Sequence, residues 1–256
     1  MQALMIHLPL VGVLLAAAVL ATAIARSASA TPVVYGICAA ASAAGLGAAL
    51  LSLTGGLSTA PLVLPLGLPW VGAHFRIDAL AAFFLVVVNL GGAAASIYGL
   101  GYGRHEHAPH RVLPFFPAFL AGMNLVVMAD DAFTFLLSWE FMSLASWALV
   151  LAHHREAANA RAAYVYLLMA SFGTMALLLA FGLLAGPGGE YAFASIREAD
   201  RAPAIAALAL VLMLVGAGSK AGLAPLHVWL PLAHPAAPSH VSALMSGVMT
   251  KVAIYG

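Results

Sequence analysis

The sequence predicts an all-α, polytopic membrane protein of about eight transmembrane helices with a broken seventh helix. Two observations carry this. The first is composition: of 256 residues, 64% are hydrophobic and only 7% charged, with a mean hydropathy of +1.02. A soluble domain cannot bury that much apolar surface. The second is spacing: apolar runs near the bilayer-spanning length of about 20 residues recur along the whole chain. In hydrocarbon each run must be helical, because unpaired backbone groups are too costly there.

The eight predicted spans cover roughly residues 4–25, 33–54, 78–100, 112–129, 131–152, 161–185, 203–230 and 240–256. The first runs into "RSASATP", whose A-x-A pattern resembles a signal-peptidase site. No Lys or Arg precedes it and its apolar run exceeds a signal core, which favours a retained helix. Residues 55–77, with "PLGLPW", form the longest loop and are expected at the membrane surface. Arg26, Arg104, Arg111, Arg155 and Arg161 lie in the first, third and fifth loops, against Arg76, Arg197 and Arg201 in the second, fourth and sixth. That bias puts the N-terminus outside and the odd loops in the cytoplasm, in a plasma (inner) membrane. The chain stops inside its eighth span, so a fragment of a longer protein is expected.

The formal charge of +1 leaves no footprint for nucleic acid. The single cysteine, Cys38, can form neither a disulfide framework nor an iron–sulfur site. "GLGYG" at 99–103 lacks the strand–helix context of a dinucleotide fingerprint. No flavin, haem or nicotinamide site is legible, so no cofactor is expected, and redox chemistry would belong to partner subunits. His105, His107 and His110, with His153 and His154, sit in basic loops and are a weak metal candidate. Asp130 and Asp131, between the fourth and fifth spans, are expected to be interfacial and solvated.

Three charges lie where hydrocarbon should be. Glu140 sits near the middle of the fifth span, Lys220 deep in the seventh and Lys251 deep in the eighth. Each costs about 2.5–3.5 kcal/mol at a helix centre, and such residues face a protein interior or mark ion paths. A buried Glu–Lys pair could simply lock helices together, but a third charge makes pairing alone less adequate. On its own helix face Glu140 has Phe133, Leu136, Leu144 and Trp147, with Ser143 to one side. A Glu–Lys distance that varies would change the lysine's hold on its proton, the minimal equipment of a proton switch. Around Lys220, Gly216, Gly218 and Gly222 permit close backbone approach, and Pro225 removes the helical partner of the Ala221 carbonyl. Pro231 and Pro238, if helical, would do the same to His227 and His234. A helix broken at bilayer depth offers carbonyls and dipole ends to a charge. On a helical wheel, Ser239, His240, Ser242, Ala243, Ser246, Gly247 and Thr250 share one half with Lys251, with Ile254 the exception, which predicts a wet or protein-lined interior face. His240 lies about 16 Å along the axis from Lys251.

The stretch "GSKAGLAPLHVWLPLAHPAAPSHVSALMSGVMTKVAIYG", with "SWEFMSLASWALV" and "FRIDALAAFFL", resembles the proton-conducting antiporter-like subunits of complex I, of multisubunit Na⁺/H⁺ antiporters and of energy-converting hydrogenases. The likeness is greatest to the large membrane subunits of the hydrogenase-4 and formate hydrogenlyase branch. It implies about fourteen helices with two inverted five-helix repeats, each holding a half-channel and a broken helix. Residues 1–110 would be helices 1–3 with their loops, and 111–256 a truncated first repeat, helices 4–8. The resemblance assigns Glu140 to tuning, Lys220 to the main protonatable site beside the break, and Lys251 to proton transfer onward. His240 could bridge the lysines.

The expected function is proton translocation in a respiratory redox complex of hydrogenase-4/formate hydrogenlyase or NADH:quinone oxidoreductase type. The expected partners are other membrane subunits and, through them, peripheral redox subunits. The transported ion would be H⁺, with Na⁺ as its alternative. The competing readings are a subunit of a Na⁺/H⁺ antiporter and a non-conducting scaffold fragment.

Overall fold

The computed structural model describes every residue except Thr59, Pro69, His107 and Gly256. The chain opens with two apolar helices, α1 (Gln2–Ile24) and α2 (Ala30–Leu53). A short antiparallel hairpin follows, β1 (Leu62–Leu64) with β2 (Ala73–Phe75), in which Leu62 faces Phe75 and Leu64 faces Ala73. Helix α3 (Ala79–Tyr102) then leads through the short α4 (Pro109–Val112) into α5 (Phe115–Met128), α6 (Ala132–Val150) and α7 (Ala157–Ala185). After the small α8 (Phe193–Glu198) come α9 (Pro203–Ala221) and α10 (Leu230–Ala236). The last segment is α11 (Ser239–Leu244), a π-helical turn over Met245–Met249, and α12 (Thr250–Tyr255).

Among the described residues seven helices are long and apolar enough to cross a bilayer, and the protein is a multi-pass membrane protein. The segment read as an eighth span is helical but divided into three short pieces. Beyond the predicted helices, the 55–77 loop contributes the hairpin, whose β2 makes an isolated bridge from Phe75 to Ala129.

Helix α5 is the centre of the bundle. It is apolar apart from Asn124, the pattern of a helix covered on all sides, and 78% of its spanning window is buried. Gly122 brings α6 close to it: a Cβ there would lie 2.8 Å from Met142 Cα. On its other side Asn124 accepts a hydrogen bond from Asn89 Nδ2 of α3 at 2.9 Å. Each of these two amides also donates to the carbonyl one turn back, Asn89 to Leu85 and Asn124 to Leu120, both at 2.9 Å. Such pairs are the polar glue of helices that apolar attraction alone does not order.

The expectation that Asp130 and Asp131 are solvated is corrected. Asp131 is fully buried; it caps α6 by accepting from Thr134 N at 2.7 Å and also accepts from His74 N of β2 at 2.8 Å. Asp130 pairs with Arg76 Nε at 3.0 Å, while Arg76 Nη1 bonds Asp78, the cap of α3, at 2.8 Å. Buried amides at a helix start require acceptors, and Arg76 supplies the cation for Asp130 and Asp78. The two carboxylates therefore join the hairpin to the α5–α6 turn.

Candidate functional site

The site forms where α9 stops in mid-bundle. Lys220 lies in the last turn of α9, and the helix ends at Gly222, whose φ of +77° and ψ of 33° only glycine adopts readily. Leu223 N closes the cap on Gly218 O at 2.9 Å. The break is therefore made three residues ahead of Pro225, the residue from which it was predicted. Pro225 follows a cis Ala224–Pro225 peptide and precedes a 3₁₀ turn over Leu226–Trp229. Pro231 falls in the first turn of α10, and Pro238 precedes α11 in extended backbone, so neither interrupts a ladder in the predicted way. The 3₁₀ turn returns its side chain to the break: Trp229 Nε1 donates to Ser219 O at 2.7 Å. Ser219 Oγ in turn donates to Met169 O of α7 at 3.0 Å.

Lys220 is 3% exposed. Its Nζ donates to Ser143 Oγ of α6 at 2.5 Å and lies 3.4 Å from Tyr166 OH of α7. The ammonium position is 5.2 Å from the centre of the Tyr166 ring and 5.7 Å from that of Trp139, within cation–π range. Among the described residues, no carboxylate forms an ion pair with it. Glu140, one turn before Ser143 on α6, instead accepts a hydrogen bond from Thr174 Oγ1 of α7. A stripe on α6 thus carries Glu140, Ser143 and Ser146, each meeting another helix. Ser146 Oγ shares a 2.6 Å hydrogen bond with Tyr166 OH, and Tyr166 OH reaches Met249 Sδ of the π-helical turn at 3.7 Å. As an ammonium Lys220 has two hydroxyl acceptors and two ring faces; as an amine it can accept from Tyr166.

Lys251 has a different setting. It is exposed, and its Nζ donates to Ser246 O at 2.6 Å and approaches Thr250 Oγ1 at 3.2 Å. A backbone carbonyl, the acceptor expected for Lys220, is thus found at Lys251, where Ser246 O also accepts from Thr250 Oγ1 at 2.8 Å. The polar half of the last segment is divided: Ser239, Ala243, Ser246, Gly247 and Lys251 lie on the surface of this chain, His240 and Thr250 are buried, and Val241, Leu244, Met245, Val248, Met249 and Val252 are packed inside. His240 is buried at the opposite end of α11, its Nε2 2.7 Å from Tyr35 OH and its ring against Tyr35, Tyr102 and Phe116. It contacts neither lysine, and its Nδ1 is buried without a partner among the described residues.

Six residues of the site escaped the sequence reading: Trp139, Ser146, Tyr166, Thr174, Ser219 and Trp229. Tyr166 and Thr174 are eight apart on α7 and so near one face, a weak signal that was available. Of the histidine candidates, His153 bonds Glu106 at 2.9 Å and His154 lies against Arg111, while His107 is outside the described residues. No group of three or more His, Cys, Asp or Glu suited to a metal occurs among the described residues.

The stretch holding Glu140, Lys220, His240 and Lys251 coincides with a family match. The model described as NADH:quinone oxidoreductase/Mrp antiporter, transmembrane, covers residues 129–256. This chain belongs to that family. An uncharacterized protein of Mycobacterium tuberculosis is 41% identical over 215 residues, covering 83% of this chain and 33% of the relative. Hydrogenase-4 component B of Escherichia coli K12 is 42% identical over 183 residues, 71% of this chain and 27% of that protein. The chain therefore spans about a third of the length of these antiporter-family relatives. In fold it is similar to a chain of the membrane-bound sulfane sulfur reductase, an archaeal respiratory membrane complex, with a TM-score of 0.85 at 19% identity, covering 97% of this chain and 51% of that one.

Proposed function

We propose that this chain forms part of a proton path in a membrane subunit of a respiratory redox complex. Lys220 takes up and releases protons there, Glu140 tunes its hold on them, and Lys251 receives them at the outward polar face. His240, with Tyr35, serves the end of the path nearer the basic loops. The observation that carries this reading is a lysine buried at a helix break whose acceptors, Ser143 and Tyr166, are both neutral. An amine locked to a carboxylate would serve structure; one held by hydroxyls can change its protonation state without breaking an ion pair. Similarity to hydrogenase-4 component B supports a redox complex over a Na⁺/H⁺ antiporter. On this reading residues 111–256 form the first antiporter-like repeat after helices 1–3 in 1–110. The N-terminus faces outward from a plasma membrane, and the partners are other membrane subunits with peripheral redox subunits beyond them.

The test is Lys220→Ala in the complete assembly reconstituted in sodium-free proteoliposomes. Assembly and electron transfer should persist while proton translocation is lost. Undiminished pumping would favour a scaffold, and pumping that requires added Na⁺ would favour an antiporter.

A further inference from the structure

A slot of about 610 Å³ opens between α1, α5 and α6, on the far side of α6 from Lys220. Its walls are Leu15 and Val19 of α1, Phe115 of α5 and Phe141 of α6, and its floor includes Ala118 and Ala145. It has almost no polar lining; the Thr22 hydroxyl at its edge is turned back onto Val19 O at 2.7 Å. From Leu15 to Thr22 on α1, and from Phe141 to Ala148 on α6, the slot runs roughly 10 Å along the helices. That is a large part of one hydrocarbon leaflet, about 15 Å.

One turn beyond the slot, the segments flanking these helices carry charge. Arg111 precedes Phe115 by four residues, and Ala152 follows Ala148 by four. These two, with His110, Arg155 and Glu156, line a second pocket of about 240 Å³. Arg111 lies against the His154 ring. Arg26 follows the end of α1 at the same face of the bundle. Among the described residues none of these arginines is in an ion pair; of the acids nearby, Glu156 accepts from Asn159 Nδ2 at 3.3 Å and Glu106 pairs with His153 of the pocket wall at 2.9 Å. Trp147, a residue type that settles at headgroup level, lines the slot at this end.

We infer that this slot and its basic end form a binding site for an anionic phospholipid, one acyl chain lying in the slot and the phosphate at Arg111 and Arg155. Charge complementarity selects this occupant: unpaired cations one turn above an apolar channel match a molecule that carries an anion on a hydrocarbon chain. A transmembrane helix fits less well. It would cover the apolar walls but supplies no anion for Arg111 and Arg155.

The test uses the full chain purified in detergent, with bound phosphatidylglycerol and phosphatidylcholine counted by native mass spectrometry. Phosphatidylglycerol should be retained in preference to phosphatidylcholine. Arg111→Gln should weaken its binding about fivefold, the worth of one interfacial cation. Val19→Trp, at a position 71% exposed and so tolerant of bulk, should exclude it by filling the slot. Equal retention of both lipids, phosphatidylglycerol binding unchanged in either variant, or inorganic phosphate competing as well as the lipid would overturn the site. So would photo-crosslinking from position 19 to a polypeptide instead of lipid.

Discussion

Lys220 and Ser143 are 77 positions apart in the chain, yet the lysine Nζ donates to the serine Oγ at 2.5 Å. This contact, not an ion pair with Glu140, holds the amine inside the bundle. Ser143 also donates to Trp139 O at 2.7 Å, which fixes its hydroxyl proton and turns its lone pairs to the lysine.

Ser143→Ala therefore removes the nearer of two acceptors of a buried ammonium. The deficit is about 1–3 kcal/mol, so proton translocation by the assembled complex should fall about tenfold, with Tyr166 alone remaining. Ser143→Thr keeps the hydroxyl and should restore most of the rate in proteoliposome proton-uptake assays. Equal rates in Ser143→Ala and the parent would show that Tyr166 suffices.

Glu140→Gln keeps an oxygen to accept from Thr174, so the unfolding midpoint in detergent should move by the equivalent of no more than about 0.5 kcal/mol. Proton translocation should nonetheless drop, because the charge is gone. A large loss of stability with a normal pumping rate would mark Glu140 as a helix tie and not a tuning group.

Lys251→Ala separates fold from function most cleanly. The side chain is exposed and bonds only within its own segment, to Ser246 O and Thr250 Oγ1. Stability should change by less than about 0.5 kcal/mol, and any large fall in translocation then reports on transport. A variant that pumps normally would remove Lys251 from the path.

Asp131→Ala leaves two amides, Thr134 N and His74 N, without their acceptor in a buried site. A lost cap and an unsatisfied donor together cost about 2–4 kcal/mol. The loss should appear in denaturant titration of the reconstituted protein. Asp131→Asn, which still offers one oxygen, should fall between the two.

Gly122→Ala places a methyl 2.8 Å from Met142 Cα, against backbone that has nowhere to move without shifting α6. Overpacking of this kind costs about 1–3 kcal/mol. Because Met142 adjoins Ser143, the variant should lose both thermal stability and proton translocation. A crystal structure with α5 and α6 unmoved would refute this account of their approach.

Much of this protein was legible before any packing was known. Solvent choice follows from composition, and the helical state of each span follows from the cost of bare backbone in hydrocarbon. Glu140 and Lys220 stand out because a charge at bilayer depth has to be explained. What helical periodicity cannot supply is the neighbour across a helix boundary. The wheel around Glu140 put Ser143 to one side, and that side is where α9 delivers Lys220. The wheel of the last segment sorted polar from apolar residues but not inside from outside, since its apolar half fills the bundle while its polar half, His240 and Thr250 apart, lies largely at the surface of this chain. Asp131 looked like a loop acid because its two partners are backbone amides, which every sequence contains and none advertises. Local chemistry decides which residues are costly to bury. Only the tertiary arrangement decides what meets them, because the contacts that offset that cost come from helices tens of residues away, brought together by packing.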